Sequence, residues 1–129
     1  MNADERRLET NSICEKIIGC AYNVANVLGT GFLEKVYENA LCLELTQIGM
    51  TVTQQKAIQV KYKNVIVGDY ISDILVNNSV IIELKAQKNL DDAYQAQCIN
   101  YLKATHLNVC LLINFGKPRI EIKRIVFNF

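Results

Sequence analysis

The hydrophobic pattern changes its period once along the chain, near Gly49, and this change limits the folds that the chain can adopt. Before Gly49, apolar residues recur every three or four positions, which is typical of amphipathic helices. The pattern predicts one helix over about residues 12–28 and a second over about residues 32–48. After Gly49, apolar and polar residues alternate, which is typical of half-buried strands. We therefore expect two helices that pack against a sheet.

The second part of the chain is predicted to contain several strands and one further helix. Strands are expected over residues 58–62, 65–67, 70–76, 79–85, 109–114 and 120–127. Asp91 and Asp92 suit the positive end of a helix dipole, and they begin a third helix that reaches about Thr105. The order α-α-β-β-β-β-α-β-β is typical of a mixed α/β layered protein. The connection through the third helix is long enough for a crossover between parallel strands.

The composition excludes several classes of protein. The chain has 129 residues, of which 50% are hydrophobic and 21% are charged, so it is not intrinsically disordered. We expect one domain over residues 1–129, with residues 1–11 as a flexible or helical N-terminal extension. No apolar run approaches the roughly 18 residues of a membrane span. The first ten residues carry mixed charges and no apolar stretch, so no secretory signal is expected.

The cysteines indicate the redox environment rather than a metal site. The sequence has no CxxC motif and one histidine, so a zinc site built from thiolates is not expected. Free buried thiols in a reducing compartment are the better interpretation, and we expect the protein in the cytoplasm with no membrane partner. The five cysteines are Cys14, Cys20, Cys42, Cys98 and Cys110.

The formal net charge of +1 constrains how the chain can bind nucleic acid. Proteins that contact many phosphates are usually basic overall. Binding would have to be local or weak, or a second copy or another partner would have to contribute to it. The best local candidate is a basic cluster near the C-terminus, formed by Lys117, Arg119, Lys123 and Arg124. Lys123 and Arg124 are expected on opposite faces of the last strand, which argues against one cluster of all four.

Three charged residues interrupt the apolar faces of two neighbouring strands. Asp73 shares the predicted face of Ile71 and Leu75, while Glu83 and Lys85 lie on an apolar face of the next strand. Burial of a charge in such a face is costly unless the charge is paired or binds a cation. The three residues therefore form either a structural ion-pair cluster or a functional site.

The length of the turn between these strands decides where the two acids lie. If residues 77–79 form a three-residue hairpin loop, Asp73 lies opposite Glu83, and their Cβ atoms are about 5 Å apart. Two carboxylates at that distance repel each other unless a proton or a metal ion lies between them, and their oxygens suit Mg²⁺ or Mn²⁺. A two-residue loop would instead direct the two acids to opposite faces. The metal site therefore depends on a register that a structure can check.

Two further polar residues are placed where they could face the carboxylate pair. Glu34 lies in the first turn of the second helix, and Gln97 lies in the third helix on the stripe of Tyr94 and Tyr101. Each also has an ordinary structural explanation. Glu34 could be a surface acid favoured by the helix dipole, and Gln97 could be a buried amide bonded to the backbone.

The spacing of the charged residues resembles a known motif. Asp73, nine intervening residues and then Glu83-Leu84-Lys85 resemble the PD-(D/E)XK motif of metal-dependent nucleases. Residues 31–37 read GFLEKVY, which is similar to the signature of the small bacterial GxxExxY proteins of that superfamily. Four more segments are similar to that family: VIIELKA (80–86), QAQCINYLKAT (95–105), LLINFG (111–116) and KRIVFNF (123–129).

The sequence departs from the family pattern at two positions. Ser72 stands where many relatives carry a basic residue, and Ala25 stands where many carry histidine. Neither departure removes a proposed metal ligand, but both bear on contact with the substrate. The resemblance implies a restriction-endonuclease-like αβββαβ core, in which helices flank a mixed sheet, with an extra N-terminal helix.

The resemblance also implies an activity and a site. The activity would be Mg²⁺- or Mn²⁺-dependent hydrolysis of phosphodiester bonds in DNA or RNA. Lys85 would position the attacking water or stabilise the charge that develops on the phosphate, and Gln97 would orient a ligand or a water. Tyr37 and Tyr101 would lie just behind the metal ligands. The metal ligands would be Glu34, Asp73, Glu83 and the backbone carbonyl of Leu84.

Other functions are compatible with the same fold. The main alternative is a non-catalytic module that binds nucleic acid or protein, as a homodimer. A further alternative is a metal-binding protein that acts on another phosphoester. The complete acid, acid and lysine set favours an enzyme, because binding alone would not need Lys85 beside the acids.

Overall fold

The structure, a computed structural model, describes residues 1–129 and contains three helices and five strands. The elements are α1 (Ala3–Leu28), α2 (Glu34–Gln47), β1 (Val52–Tyr62), β2 (Val65–Val76), β3 (Val80–Lys85), α3 (Asp92–Thr105), β4 (Val109–Asn114) and β5 (Glu121–Val126). No helix is both long enough and apolar enough to cross a lipid bilayer.

Three elements differ from the sequence prediction, and the first of them is β1, which begins at Val52 rather than at Ile58. Helix α1 begins at Ala3 rather than near residue 12, because the Asn2 side chain caps it by accepting the Glu5 N–H at 2.8 Å. The strands predicted over residues 65–67 and 70–76 are one strand, β2. Strand β1 pairs with β2 on both sides of Gly68, so this glycine does not end the strand.

The five strands form one mixed sheet in the order β1-β2-β3-β4-β5. Strands β3 and β4 are parallel, and the other neighbours are antiparallel. Helix α3 makes the crossover between the two parallel strands, as predicted. The α/β class and the αβββαβ core with an extra N-terminal helix are therefore confirmed.

The sheet carries a hydrophobic cluster on each face. Helices α1 and α2 cover one face and pack on residues such as Ile74, Ile82 and Leu84. Helix α3 covers the other face, where Leu75 and Ile81 pack against it. All five cysteines are buried and free, in agreement with the interpretation of the sequence.

The alternation of side chains along β2 breaks close to Asp73. Tyr70 lies against Tyr101 of α3, with ring centroids 5.9 Å apart, and Leu75 packs in the α3 cluster too. These two β2 residues are an odd number of positions apart, so regular alternation would place them on opposite faces. Ile71 is 56% exposed. The expected common face of Ile71, Asp73 and Leu75 is therefore wrong.

The neighbouring strand is irregular at the same level. Gln55 of β1 has a φ of 53°, which is the left-handed region that side chains other than glycine rarely adopt. The Cα pairing of β1 with β2 runs through Gln54–Ile74 and Lys56–Ser72, and it omits Gln55. The sheet is thus irregular at the level of Asp73.

Candidate active site

The hairpin between β2 and β3 has the register that the carboxylate pair requires. Val76 pairs with Val80 and Ile74 pairs with Ile82, so the connection is the three-residue loop 77–79. Asn77 and Asn78 have φ values of 50° and 52°. Asparagine tolerates this left-handed conformation better than most residues, which explains why it occupies the turn. Of the two registers that the sequence left open, the structure has the one that places Asp73 opposite Glu83.

Beyond Ile74 and Ile82, the two strands are joined by side chains instead of main-chain pairs. The Asp73 N–H donates to Glu83 Oε1 at 3.0 Å. The Leu84 N–H donates to Asp73 Oδ2 at 2.8 Å. Each carboxylate thus accepts a hydrogen bond from the other strand, and this reciprocal arrangement holds the two acids side by side at the end of the hairpin.

Burial and the nearby second carboxylate both make ionisation of the pair less favourable. Glu83 is 4% exposed and forms no salt bridge; burial and then the charge of Asp73 raise its pKa to about 8. Burial is also the largest cause that raises the pKa of Asp73, while the Leu84 N–H lowers it. A buried pair of this kind is stabilised when a cation or a proton lies between the two groups.

The remaining oxygens of the pair are available to a ligand. Glu83 Oε2 and Asp73 Oδ1 make no hydrogen bond with the protein, and no unpartnered side-chain oxygen is fully buried. The N–H and C=O of one strand residue point to the same side, so the Leu84 carbonyl lies toward Asp73. Carboxylate and carbonyl oxygens are the donors that Mg²⁺ and Mn²⁺ prefer, so these residues fit a divalent ion.

Lys85 lies near the acids without pairing with them. Its Nζ atom is 4.2 Å from the centroid of the Tyr94 ring, a cation–π contact that holds the side chain against α3. Its charge lowers the pKa of both Asp73 and Glu83, yet no salt bridge joins it to either acid. The structural alternative, in which Lys85 directly neutralises the acids, does not describe this arrangement.

Glu34 faces the pair from α2 but does not complete a closed cluster. Burial raises the pKa of Glu34, the charge of Lys85 lowers it, and the charge of Asp73 raises it. Glu34 therefore interacts electrostatically with both Lys85 and Asp73. Glu34 is exposed and has no hydrogen-bond or ion-pair partner. No group of three or more His, Cys, Asp and Glu side chains converges closely enough to hold a metal ion.

Two other predicted site residues, Gln97 and Tyr101, lie on α3 and form no hydrogen bond with the carboxylates. Gln97 is half-buried on α3 and makes no hydrogen bond to the carboxylates. The Tyr101 hydroxyl donates to the Ile71 carbonyl at 3.5 Å. Burial, followed by the charges of Glu83 and Asp73, raises the pKa of Tyr101, which places its ring beside the pair.

Tyr37 has a structural position rather than one at the pair. Its hydroxyl donates to the Gly29 carbonyl at 2.6 Å and accepts the Phe32 N–H at 3.3 Å. Its ring stacks on Phe115 at 4.7 Å. Tyr37 therefore fixes the turn between α1 and α2, and this turn sets the position of Glu34 at the start of α2.

Two residues at the site were not predicted from the sequence. Glu38 is 4% exposed and accepts hydrogen bonds from Lys35 at 2.9 Å, Gln54 at 2.8 Å and Gln55 at 3.0 Å. Gln55, which donates to Glu38, also lowers the pKa of Asp73, so its amide lies between Glu38 and the pair. Helical spacing places Glu38 on the face of Glu34 and could have identified it, but no sequence signal marks Gln55.

The predicted basic cluster does not form as a unit. Lys117 and Arg119 lie in the loop after β4, whereas Arg124 lies in β5, donates to Asn11 of α1 at 2.6 Å and contacts the Phe129 ring. Lys123 pairs with Leu112 in the neighbouring register position, so its side chain points to the other face of β5. Strand alternation separates the four residues.

Comparison with known proteins places this geometry in a family. No curated protein matches the chain. One solved structure, an alkaline exonuclease (LHK-Exo) from Laribacter hongkongensis, is similar with a TM-score of 0.49 and 15% identity over 84% of this chain and 76% of the other. The profile of the PD-(D/E)XK nuclease superfamily matches residues 11–125, from α1 into β5. Since this match includes the whole sheet and both acids of the pair, the chain belongs to the PD-(D/E)XK nuclease superfamily.

Proposed function

We propose that the protein is a metal-dependent nuclease that hydrolyses phosphodiester bonds in DNA or RNA. The observation that carries the proposal is the reciprocal hydrogen bonding of Asp73 and Glu83, which holds two carboxylates together without a cationic partner. Mg²⁺ or Mn²⁺, when bound, supplies a Lewis acid for the phosphate and lowers the pKa of a water. The family match supports a nuclease, and the donor set supports the metal.

Two carboxylates, one main-chain carbonyl and one further acid are the candidate ligands of the ion. Asp73, Glu83 and the Leu84 carbonyl are the donors that would hold it, and main-chain N–H groups already fix both acids. Glu34 would complete the set from the first turn of α2. Because Glu34 is exposed and has no partner, its side chain can turn toward the pair without breaking a contact.

Lys85 and Gln97 act on the substrate side in this proposal. Lys85 makes no salt bridge, so its ammonium group can donate to a phosphate oxygen or to the attacking water. The Tyr94 ring limits where that group can go. Gln97 is half-buried on the same helix as Tyr94 and has an amide free to orient a water.

A non-catalytic module of the same fold is the second candidate function. One observation favours it: no three side chains among His, Cys, Asp and Glu converge on a metal position in this structure. Such a module would bind nucleic acid or protein without hydrolysis. The nuclease requires Glu34 to move toward the pair, whereas the binding module requires no such movement.

Three finer expectations belong to the same proposal. Residues 31–37 support membership of the GxxExxY proteins within the superfamily. The five free buried thiols support a reducing compartment such as the cytoplasm. A chain with a net charge of +1 offers few phosphate contacts, and a second copy in a homodimer would add more. Light scattering on the purified protein would detect the dimer.

The test is a cleavage assay on labelled single- and double-stranded DNA and RNA with Mg²⁺ or Mn²⁺. We expect the wild type to cut at least one of these substrates and to lose the activity in EDTA. Lys85→Ala removes the ammonium group but no metal ligand, and we expect it to lower the rate by about 10²- to 10³-fold. Lys16→Ala, which removes an exposed lysine of α1, should leave the rate unchanged.

The assay separates the two candidate functions. Metal-dependent cutting that Lys85→Ala removes and Lys16→Ala keeps supports the nuclease. If the wild type does not cut any substrate above the Lys85→Ala level, the nuclease proposal is wrong for these substrates, and the binding module is favoured.

A further inference from the structure

Two loops leave the sheet beside the candidate active site. Strands β3 and β4 are parallel, so their carboxyl ends meet at one edge of the sheet, and Glu83 and Lys85 lie at that edge. The loop after β3 runs over residues 86–91, and the loop after β4 runs over residues 115–120. Ligands of open α/β sheets bind outside the carboxyl ends of such strands.

A buried asparagine locks the two loops together. Asn114 is fully buried, and its Oδ1 accepts the N–H groups of Gln87 and Gly116, each at 3.0 Å. Its Nδ2 donates to the Gln87 carbonyl at 2.8 Å. A Cβ atom on Gly116 would lie 2.2 Å from the Gln87 backbone, so only glycine permits this approach. The loops are therefore held in one arrangement by main-chain contacts.

This arrangement gathers three cationic side chains around one open cavity of about 670 Å³. Lys88 comes from the first loop, and Lys117 and Arg119 come from the second. No acid lines the cavity. Lys117 forms a salt bridge with Glu121 at 3.3 Å. Lys88 and Arg119 are exposed and form no salt bridge. In a chain whose net charge is only +1, this is a local excess of unpaired positive charge.

We propose that Lys88, Lys117 and Arg119 form a clamp for a backbone phosphate of the nucleic-acid strand that is cut at the carboxylate pair. The inference rests on the proposed function, because the pair defines which strand is meant. Lys88 is three residues beyond Lys85, so at most about 11 Å of chain separates the clamp from the site. One strand can therefore contact both.

The chemistry of the cavity favours a phosphate over other anions. Arg119 can donate two parallel hydrogen bonds to phosphate oxygens, and Lys88 adds a mobile ammonium group. The cavity is wide open, as a site must be for a polymer that continues on both sides. The clamp also explains how a nearly neutral chain can bind nucleic acid: the contacts are few and local.

The experiment measures binding apart from cleavage. The Lys85→Ala protein is titrated against fluorescein-labelled DNA and RNA oligonucleotides in EDTA, and fluorescence anisotropy is recorded at several salt concentrations. We expect Lys88→Ala with Arg119→Ala to raise the Kd about tenfold or more at low salt. Each lost phosphate contact reduces the slope of log Kd against log salt by about 0.7–0.9, and the clamp holds one phosphate, so the slope should fall by that amount.

A matched control removes the same charges elsewhere. Arg6→Ala with Lys16→Ala takes one arginine and one lysine from the exposed side of α1, and we expect no more than a twofold change in Kd. Thermal melting checks that both double variants are folded. The clamp is wrong if the parent binds no oligonucleotide, if the Lys88 and Arg119 variant binds like the parent, or if the α1 control weakens binding equally.

The outcome for the clamp is separable from the outcome for the nuclease. If the wild type does not cut but the Lys88 and Arg119 variant loses binding, the phosphate contact of the clamp stands as a binding site, while the nuclease proposal and the link of the clamp to a cut strand fail. If the wild type cuts but the variant binds and cuts normally, the nuclease proposal stands and the clamp fails.

Discussion

Asp73 and Glu83 each replace a main-chain carbonyl as the acceptor for the neighbouring strand, and neither has a cationic partner. Main-chain hydrogen bonds stabilise both charges, but burial and mutual repulsion oppose them, and the balance leaves the pKa of Glu83 at about 8. Such a pair reduces the stability of the folded protein at high pH. It is retained at a position where perturbed carboxyl groups are typical of function.

The raised pKa of Glu83 predicts how the stability of the metal-free protein depends on pH. The folded protein keeps the proton of Glu83 up to about pH 8, whereas the unfolded chain loses it near the ordinary value of 4.5. The contribution of this proton is therefore complete below that ordinary value and is lost as the pH rises through about 8. We expect the melting temperature in EDTA to fall from about pH 4.5 to about pH 8 and to level off above that value.

Glu83→Gln is the control for this dependence. It cannot ionise, so most of the fall should disappear, and the variant should melt at the higher temperature at about pH 9. An identical pH profile for wild type and Glu83→Gln would contradict the assignment.

Glu38 is the second buried acid, and its role is to connect elements. It accepts hydrogen bonds from one lysine of α2 and two glutamines of β1. We expect Glu38→Ala to lower the free energy of unfolding by about 1–3 kcal/mol, because the hydrogen bonds that three donors make to this buried acceptor are lost. Glu38→Gln keeps an acceptor oxygen of the same shape, so it should lose clearly less. Urea unfolding measures both, and equal losses would show that the hydrogen bonds are not the cause.

At the scale of elements, the site depends on how strands end and on which loops follow them. The loop 77–79 sets the register of the acids, and the contact of Gly116 with Gln87 fixes the two loops after β3 and β4. The left-handed backbone of Gln55 interrupts the pairing of β1 with β2 at the level of Asp73. The edge that carries the candidate site is thus defined by main-chain geometry more than by packing of large side chains.

The same substitution at two glycines is predicted to have opposite effects. Gly116→Ala would place a Cβ atom 2.2 Å from the Gln87 backbone, and we expect a loss of about 1–3 kcal/mol as the loops separate. Gly19 lies within α1, and a methyl group added there would meet no atom within 4 Å, so Gly19→Ala should gain about 0.5–1 kcal/mol from helix propensity. Thermal or urea unfolding of both variants provides the comparison. A neutral Gly116→Ala would show that the loops adjust freely.

The sequence was a good guide to elements whose pattern is local. Local patterns identified α2, β4 and α3 closely, and they marked the turn at Asn77-Asn78, whereas the length of that turn, and with it the pairing of the acids, was left open. The sequence did not predict features that depend on contacts between residues far apart in the chain. The left-handed conformation of Gln55 and the contacts of Glu38 depend on tertiary packing, and neither leaves a periodic signal.

At the scale of the whole molecule, different helices cover the two faces of the sheet and position different residues near the candidate site. Helices α1 and α2 bury the larger hydrophobic cluster and position Glu34 through the turn that Tyr37 holds. Helix α3 buries the smaller cluster and places Tyr94 against Lys85 and Tyr101 against Tyr70 of β2. The candidate site lies where the two helical layers meet the open carboxyl edge of β3.

The direct test of the central claim is calorimetric titration of Mn²⁺ into the wild type, Asp73→Asn, Glu83→Gln and Lys85→Ala at constant pH. We predict saturable binding to the wild type and to Lys85→Ala, and its loss in both carboxylate variants. At 100 times the Kd, bound metal should also stabilise the wild type by about 2.7 kcal/mol. No saturable binding to the wild type, or equal binding to all four proteins, would contradict the claim that Asp73 and Glu83 hold a divalent ion.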